Sequence, residues 1–201
     1  LRAIVDLKRQ VADHVGYEGS PYNALLDEFE PGQTAEQTQP VFDGLRAQTV
    51  ALLDEIRRSL VRPDTEILER SFDTAKQLAF TEDVLRAMGF DFDAGRQDLS
   101  THPFTTSFDP RDVRVTTRVQ EHQGASALMG SIHEGGHALY EQGVDLKLAR
   151  TLLGTGTSLG IHESQSRMWE NLVGRSKPFW EHFYRRLTTT FPESLADVPL
   201  D

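Results

Sequence analysis

Apolar residues recur along the chain first at helical and then at extended spacing. From Leu1 to His14, with Val15 just beyond, Ile4, Val5, Leu7 and Val11 fall near a helical period, and Gly16 with Gly19-Ser20-Pro21 predicts its end. Pro21 suits the first position of the next helix, where the missing N–H has no partner to lose. Tyr22, Leu25, Leu26 and Phe29 make that segment's apolar face, and Glu30-Pro31-Gly32 breaks it. Thr34 with Gln37 has the form of a capping box and opens a longer helix through Val41, Phe42, Leu45, Leu52, Leu53, Ile56 and Leu60, which Pro40 is expected to kink. The pattern weakens into a loop between Arg62 and Ser71. Asp73 then caps a helix carrying Leu78, Val84, Leu85 and Met88, closed by Gly89.

Between Phe90 and Arg118 the period changes. Phe104 to Phe108 and Val113 to Thr117 gather β-branched and aromatic residues around Asp109-Pro110-Arg111, which predicts a small hairpin or edge sheet. Helical spacing then returns. Met129, Ile132, Leu139 and Tyr140 bracket one helix; Gly160 to Asn171 reads as a second, with Ile161, Met168 and Leu172 on one face. Pro178 to Thr189 reads as a last helix packing through Phe179, Trp180, Phe183 and Leu187. The run Gly154 to Gly160 lacks the Gly-Lys-Ser/Thr ending of a phosphate loop and follows no strand, so it reads as a connecting loop.

A length of 201 residues suits one mostly helical domain, residues 1–201, with enough chain to bury a core. Hydrophobic content of 38% and charged content of 26% are those of a globular chain, and no apolar run is long enough for a transmembrane helix. A formal net charge of −10 argues against a nucleic-acid partner, which needs Lys and Arg to neutralise phosphate. The start Leu1-Arg2-Ala3-Ile4-Val5-Asp6 is no secretory signal, and its lack of Met suggests that translation began elsewhere. With no cysteine, His and carboxylate are the side chains left to hold a transition metal.

His133-Glu134-Gly135-Gly136-His137 is where such a metal points. Histidines four apart on a helix stand about 5–6 Å from one another on one face, within reach of one ion. Glu134, rotated by about 100° from His133, falls to the side, where it can accept a proton from an attacking water. A random match to this pattern is expected roughly 0.02 times in such a chain. Gly135 and Gly136 cost the helix about 1 kcal/mol each relative to Ala, which burial of the flanking apolar residues must offset; their bareness permits either a close backbone approach or simple tight packing. A catalytic zinc site takes three protein ligands. Glu163, thirty residues after His133 on the next helix, is the candidate third, although a plain ion pair with Arg167 at i+4 also accounts for it. Its neighbour His162 is placed as a residue that orients Glu163 or touches substrate.

Four blocks in this order, His102-Pro103-Phe104, Asp112-Val113-Arg114-Val115-Thr116, the His133 to His137 motif and His162-Glu163-Ser164, resemble the carboxypeptidase Taq-like metallocarboxypeptidases, as do Tyr17-Glu18 and Pro21 to Asp27. The resemblance implies a mainly α fold, a multi-helix zincin-like metallopeptidase core with a small β-hairpin or sheet near the active-site cleft. It implies a carboxypeptidase that releases C-terminal residues from peptides using one divalent metal, zinc or alternatively cobalt. His133, His137 and Glu163 would be its ligands and Glu134 the general base, with His102, Asp112, Arg114, Thr116 and His162 binding substrate or supporting the cleft. It further implies a homodimer and a cytoplasmic location. Family members are considerably longer and carry Ile-Arg-x-x-Ala-Asp and Gly-x-x-Gln-Asp-x-His-Trp motifs not found in this sequence, so the chain looks like the central part of one, with little turnover expected of it alone. The competing reading is a non-catalytic metal-binding or helical interaction module.

Overall fold

A computed structural model describes residues 1–200, and their packing divides into two compact units: residues 1–63 with 158–160, and residues 64–157 with 161 onward. The first unit holds α1 (Arg2–Val15), α2 (Pro21–Leu26) and α3 (Ala35–Arg58). Its boundaries are local chemistry. Gly16 ends α1 at φ 85°, a conformation that side chains resist. The Ser20 hydroxyl accepts from the Tyr22 amide ahead of Pro21, and the Thr34–Gln37 capping box is complete. Buried Asn23 ties the pieces together, donating to the Glu18 carbonyl and the Glu36 carboxylate while accepting from the Ala35 amide at 2.8 Å. The α3 helix continues through Pro40 and stops at Arg58, short of Leu60. The apolar stripes of these helices, Leu7 and Val11 on α1 and Phe42, Leu45 and Ile56 on α3, are exposed.

In the second unit Asp73 caps α4 (Thr74–Met88) by accepting from the Lys76 amide, and Gly89 closes it in the left-handed conformation at φ 104°. The expected hairpin is present: β2 (Thr105–Asp109) runs antiparallel to β3 (Asp112–Thr117) around Pro110-Arg111. A strand the sequence pattern did not signal, β1 (Gly95–Leu99), joins β3 in parallel, giving the order β1-β3-β2. Its inward residue is an amide. Gln97 donates to Ser131 at 2.7 Å and accepts from Thr81 on α4 at 3.2 Å, so β1 is docked by a buried polar bridge.

Helix α5 (Gly124–Gln142) is the centre of this unit. On one side Leu85, Val113, Val115 and Ala138 join it to α4 and the sheet; on the other Phe80, Val84, Leu128 and Ile132 pack with Phe179 and Phe183 of α7 (Lys177–Thr190). A short α8 (Pro192–Leu195) follows, and a 3-10 turn, Glu66–Glu69, interrupts the loop expected between Arg62 and Ser71. Helix α6 (Leu159–Arg167) starts inside the Gly154 to Gly160 run, and π-helical turns extend it over Met168–Val173. The face it buries is not the expected one. Ile161, Met168 and Leu172 are exposed, whereas Ser166 is fully buried, because what turns inward is a small residue that lets α6 lie against α5. Among the described residues no helix is long and apolar enough to cross a membrane.

Candidate metal centre

The contact between α5 and α6 builds the site. A Cβ on Gly136 would fall 2.6 Å from Ser166 Cα and 3.0 Å from the Gln165 carbonyl oxygen, and one on Gly135 would fall 2.4 Å from a Leu85 methyl. Both glycines therefore serve close approach, Gly136 to the α6 backbone and Gly135 to the α4 side chains. That approach delivers Glu163 to the two histidines. Its Oε2 lies 3.2 Å from His137 Nε2 and 3.7 Å from His133 Nε2, and the three ligand atoms fall within 4.8 Å of one another. The other carboxylate oxygen, Oε1, accepts from Arg167 at 2.8 Å, so the i+4 pair and the histidine contact coexist on one side chain. Two ring nitrogens and a carboxylate oxygen are a donor set that suits a divalent transition metal, and their convergence on one point fits such an ion.

The surroundings set the charges. Burial and then the neighbouring imidazoles of His162 and His133 push His137 down from 6.5 to about 4, so it is neutral with a free lone pair at ordinary pH. Burial raises the Glu134 carboxyl, against a Thr105 hydroxyl whose proton is shared between the Glu134 carboxylate at 2.8 Å and its carbonyl at 2.9 Å. Burial also acts upward on Glu163, but the Arg167 hydrogen bond and both histidines outweigh it and leave its pKa lowered. The His137 shift has a sign for stability. Because the unfolded chain takes up this proton near pH 6.5 and the folded chain only near 4, the metal-free protein should lose stability as pH falls through that window, by on the order of 3 kcal/mol. Urea unfolding at pH 7 and pH 4.5 checks this, with His137→Gln expected to flatten the difference.

The remaining predicted residues fall into two groups. His162 lies beside His137 with the ring nitrogens Nδ1 2.6 Å apart, and its Nε2 is 2.7 Å from Glu141. Gly156 makes room for it, since a Cβ there would meet the His162 ring at 2.9 Å. Thr116 supports a loop, accepting from the Phe104 amide at 2.9 Å and from the Ser100 hydroxyl at 2.7 Å. His102 on that loop is exposed and turned to the Pro103 carbonyl, near enough to Glu134 to lower its pKa slightly. Asp112 and Arg114 pair with each other on the outer face of β3, at 2.8 and 2.9 Å, with Arg114 also over the Phe108 ring; their contacts are not with the three converging residues.

Three residues of the site lay outside the sequence reading. Thr105 holds Glu134, Glu141 holds His162, and Glu170 accepts from His133 Nδ1 at 3.0 Å. Glu170 and Glu141 had a signal in their spacing, seven residues after Glu163 and four after His137, each returning to the same helix face. Thr105 had none.

A family model described as carboxypeptidase Taq (M32) metallopeptidase matches residues 1–201. The chain belongs to this family. It is 40% identical to carboxypeptidase 1 of Bacillus subtilis over all of its own length and 40% of that protein's, and 48% identical to thermostable carboxypeptidase 1 of Thermus thermophilus over 91% of its own length and 36% of that protein's. A crystal structure of an M32 carboxypeptidase from Deinococcus radiodurans superimposes with a TM-score of 0.94 at 48% identity, covering 99% of this chain and 40% of the other. The mainly α fold with a small sheet is thus the fold of the family, while this chain spans about two fifths of its relatives' length.

Proposed function

We propose that the chain carries the metal and proton-transfer half of a metal-dependent carboxypeptidase, with His133, His137 and Glu163 as the ligands and Glu134 as the general base. The observation that supports it is the convergence of those three ligand atoms beside a buried carboxylate whose proton affinity is raised, in a member of a metallopeptidase family. A divalent ion, when bound, polarises a scissile carbonyl and acidifies a water. The residues supply the rest. The neutral imidazole of His137 and the carboxylate of Glu163 present lone pairs from two helices locked together at Gly136 and Ser166. Glu134, held by Thr105 and removed from bulk water, accepts the proton of the attacking water and returns it to the leaving amine. Zinc as the ion, peptides as substrates, a homodimer and a cytoplasmic setting belong to the same proposal, on the family resemblance.

Product mapping tests it. A zinc-loaded protein carrying this segment should shorten an N-terminally blocked peptide stepwise from its carboxyl end, as read by mass spectrometry. Internal fragments, or an intact blocked peptide beside an unblocked copy shortened from its amino end alone, would contradict the proposal. Metal uptake without any hydrolysis would favour the non-catalytic module instead.

A further inference from the structure

The ring nitrogens of the two candidate ligand histidines that face away from Glu163 are both engaged, and by different means. His133 Nδ1 meets a carboxylate directly, Glu170 Oε2 at 3.0 Å, and Arg175 steadies that carboxylate through its other oxygen at 2.8 Å. His137 Nδ1 meets another imidazole, His162 Nδ1 at 2.6 Å, whose far nitrogen Nε2 then meets Glu141 at 2.7 Å. The His137 and His162 ring planes lie within 28° of each other with centroids 4.7 Å apart, so the rings meet edge to edge through those nitrogens.

We propose that Glu141, acting through His162, and Glu170, acting directly, are positioning residues that fix both ligand histidines in the Nδ1–H tautomer and so turn both Nε2 lone pairs to one point.

The assignment follows from donor and acceptor capacity. An ionised carboxylate only accepts, so His162 must carry its hydrogen on Nε2 to donate to Glu141. In the neutral ring Nδ1 of His162 is then an acceptor, and the hydrogen in the contact between the two imidazoles belongs to His137 Nδ1. His137 Nε2 is left with a bare lone pair, 3.2 Å from a Glu163 oxygen that also only accepts. The same logic at Glu170 puts the hydrogen of His133 on Nδ1 and leaves its Nε2 bare, 3.7 Å from the same oxygen. Three acceptors pointed at one another repel unless a cation lies among them, and outer hydrogen bonds of this kind set tautomer, ring orientation and ligand basicity. The inference rests on the metal-site reading above and deepens it. It also accounts for two features that reading leaves idle: the glycine at 156 that admits the His162 ring, and the π-helical turns that carry Glu170.

The test uses the 201-residue chain, with zinc as the probe. In the zinc-loaded chain with ¹⁵N-labelled histidine, long-range ¹H–¹⁵N correlation should show His133 and His137 protonated on Nδ1 and His162 protonated on Nε2. Zinc affinity, measured by competition with a chelator, should fall about 10–100-fold in Glu141→Gln and in Glu170→Gln, with partial recovery in Glu141→Asp. A His162 protonated on Nδ1, or wild-type affinity in both Gln variants, would overturn the proposal while leaving the metal site standing. An unmutated chain that takes no zinc would overturn the metal site, and this inference with it. Should a variant fail to fold, the tautomers of the unmutated chain decide.

Discussion

Gly136→Ala should abolish stoichiometric metal uptake although it adds a single methyl group. The added Cβ would stand 2.6 Å from Ser166 Cα, 3.0 Å from the Gln165 carbonyl oxygen and 3.1 Å from the Ser166 amide nitrogen. All three are backbone atoms of α6, so no side-chain rotation relieves the clash and the helix itself must move off α5. Overpacking of this kind costs about 1–3 kcal/mol in stability, offset in part by the roughly 1 kcal/mol that Ala gains over Gly in a helix. The fold should survive; the site should not. Glu163 sits three residues before Ser166 on the displaced helix, and a carboxylate moved outward can no longer share an ion with His133 and His137. Gly44→Ala in α3, where an added Cβ meets nothing within 4 Å, is the control: it should leave uptake unchanged and raise thermal stability slightly. Calorimetric titration with zinc on both variants, alongside their unfolding curves, separates loss of the site from loss of the fold.

The second large effect concerns chemistry. In a peptide-hydrolysing protein that carries this segment, Glu134→Gln should retain its metal and lose about 10²–10⁴-fold in turnover, the usual contribution of a positioned general base. The amide keeps the shape and the Thr105 contact but cannot take a proton. Glu134 is 7% exposed, so no bulk water stands in for it. Turnover within a few-fold of the parent, at equal metal content, would remove Glu134 from the mechanism.

What could be read from the sequence was local. The Thr34–Gln37 pair, Asp73 and Gly89 cap their helices by contacts a few residues long, and each stands where its residue type predicts. The hairpin was legible for the same reason, since a two-residue turn joins two β-branched runs. Strand β1 was not, because Gly95-Arg96-Gln97-Asp98-Leu99 has no β-branched residue and is held by its parallel pairing with β3 and the distant Thr81 and Ser131. The spacing of Ile161, Met168 and Leu172 described a real helix face but not its direction. Direction was decided by Ser166 fitting against Gly136, a contact between small residues that a search for apolar period overlooks. The candidate site divides in the same way. His133, Glu134 and His137 announce themselves by spacing on one helix, and Glu163 by its place on the next, while the spacing of Glu141 and Glu170 puts them on the right faces without saying which rings they hold.

The central claim is that His133, His137 and Glu163 hold one divalent ion. Elemental analysis of the 201-residue chain after zinc loading and exhaustive dialysis tests it most directly, run beside His133→Ala and Glu163→Ala. The account predicts one zinc per parent chain and none in either variant; a parent chain that comes out empty, or variants that keep the full equivalent, would contradict it.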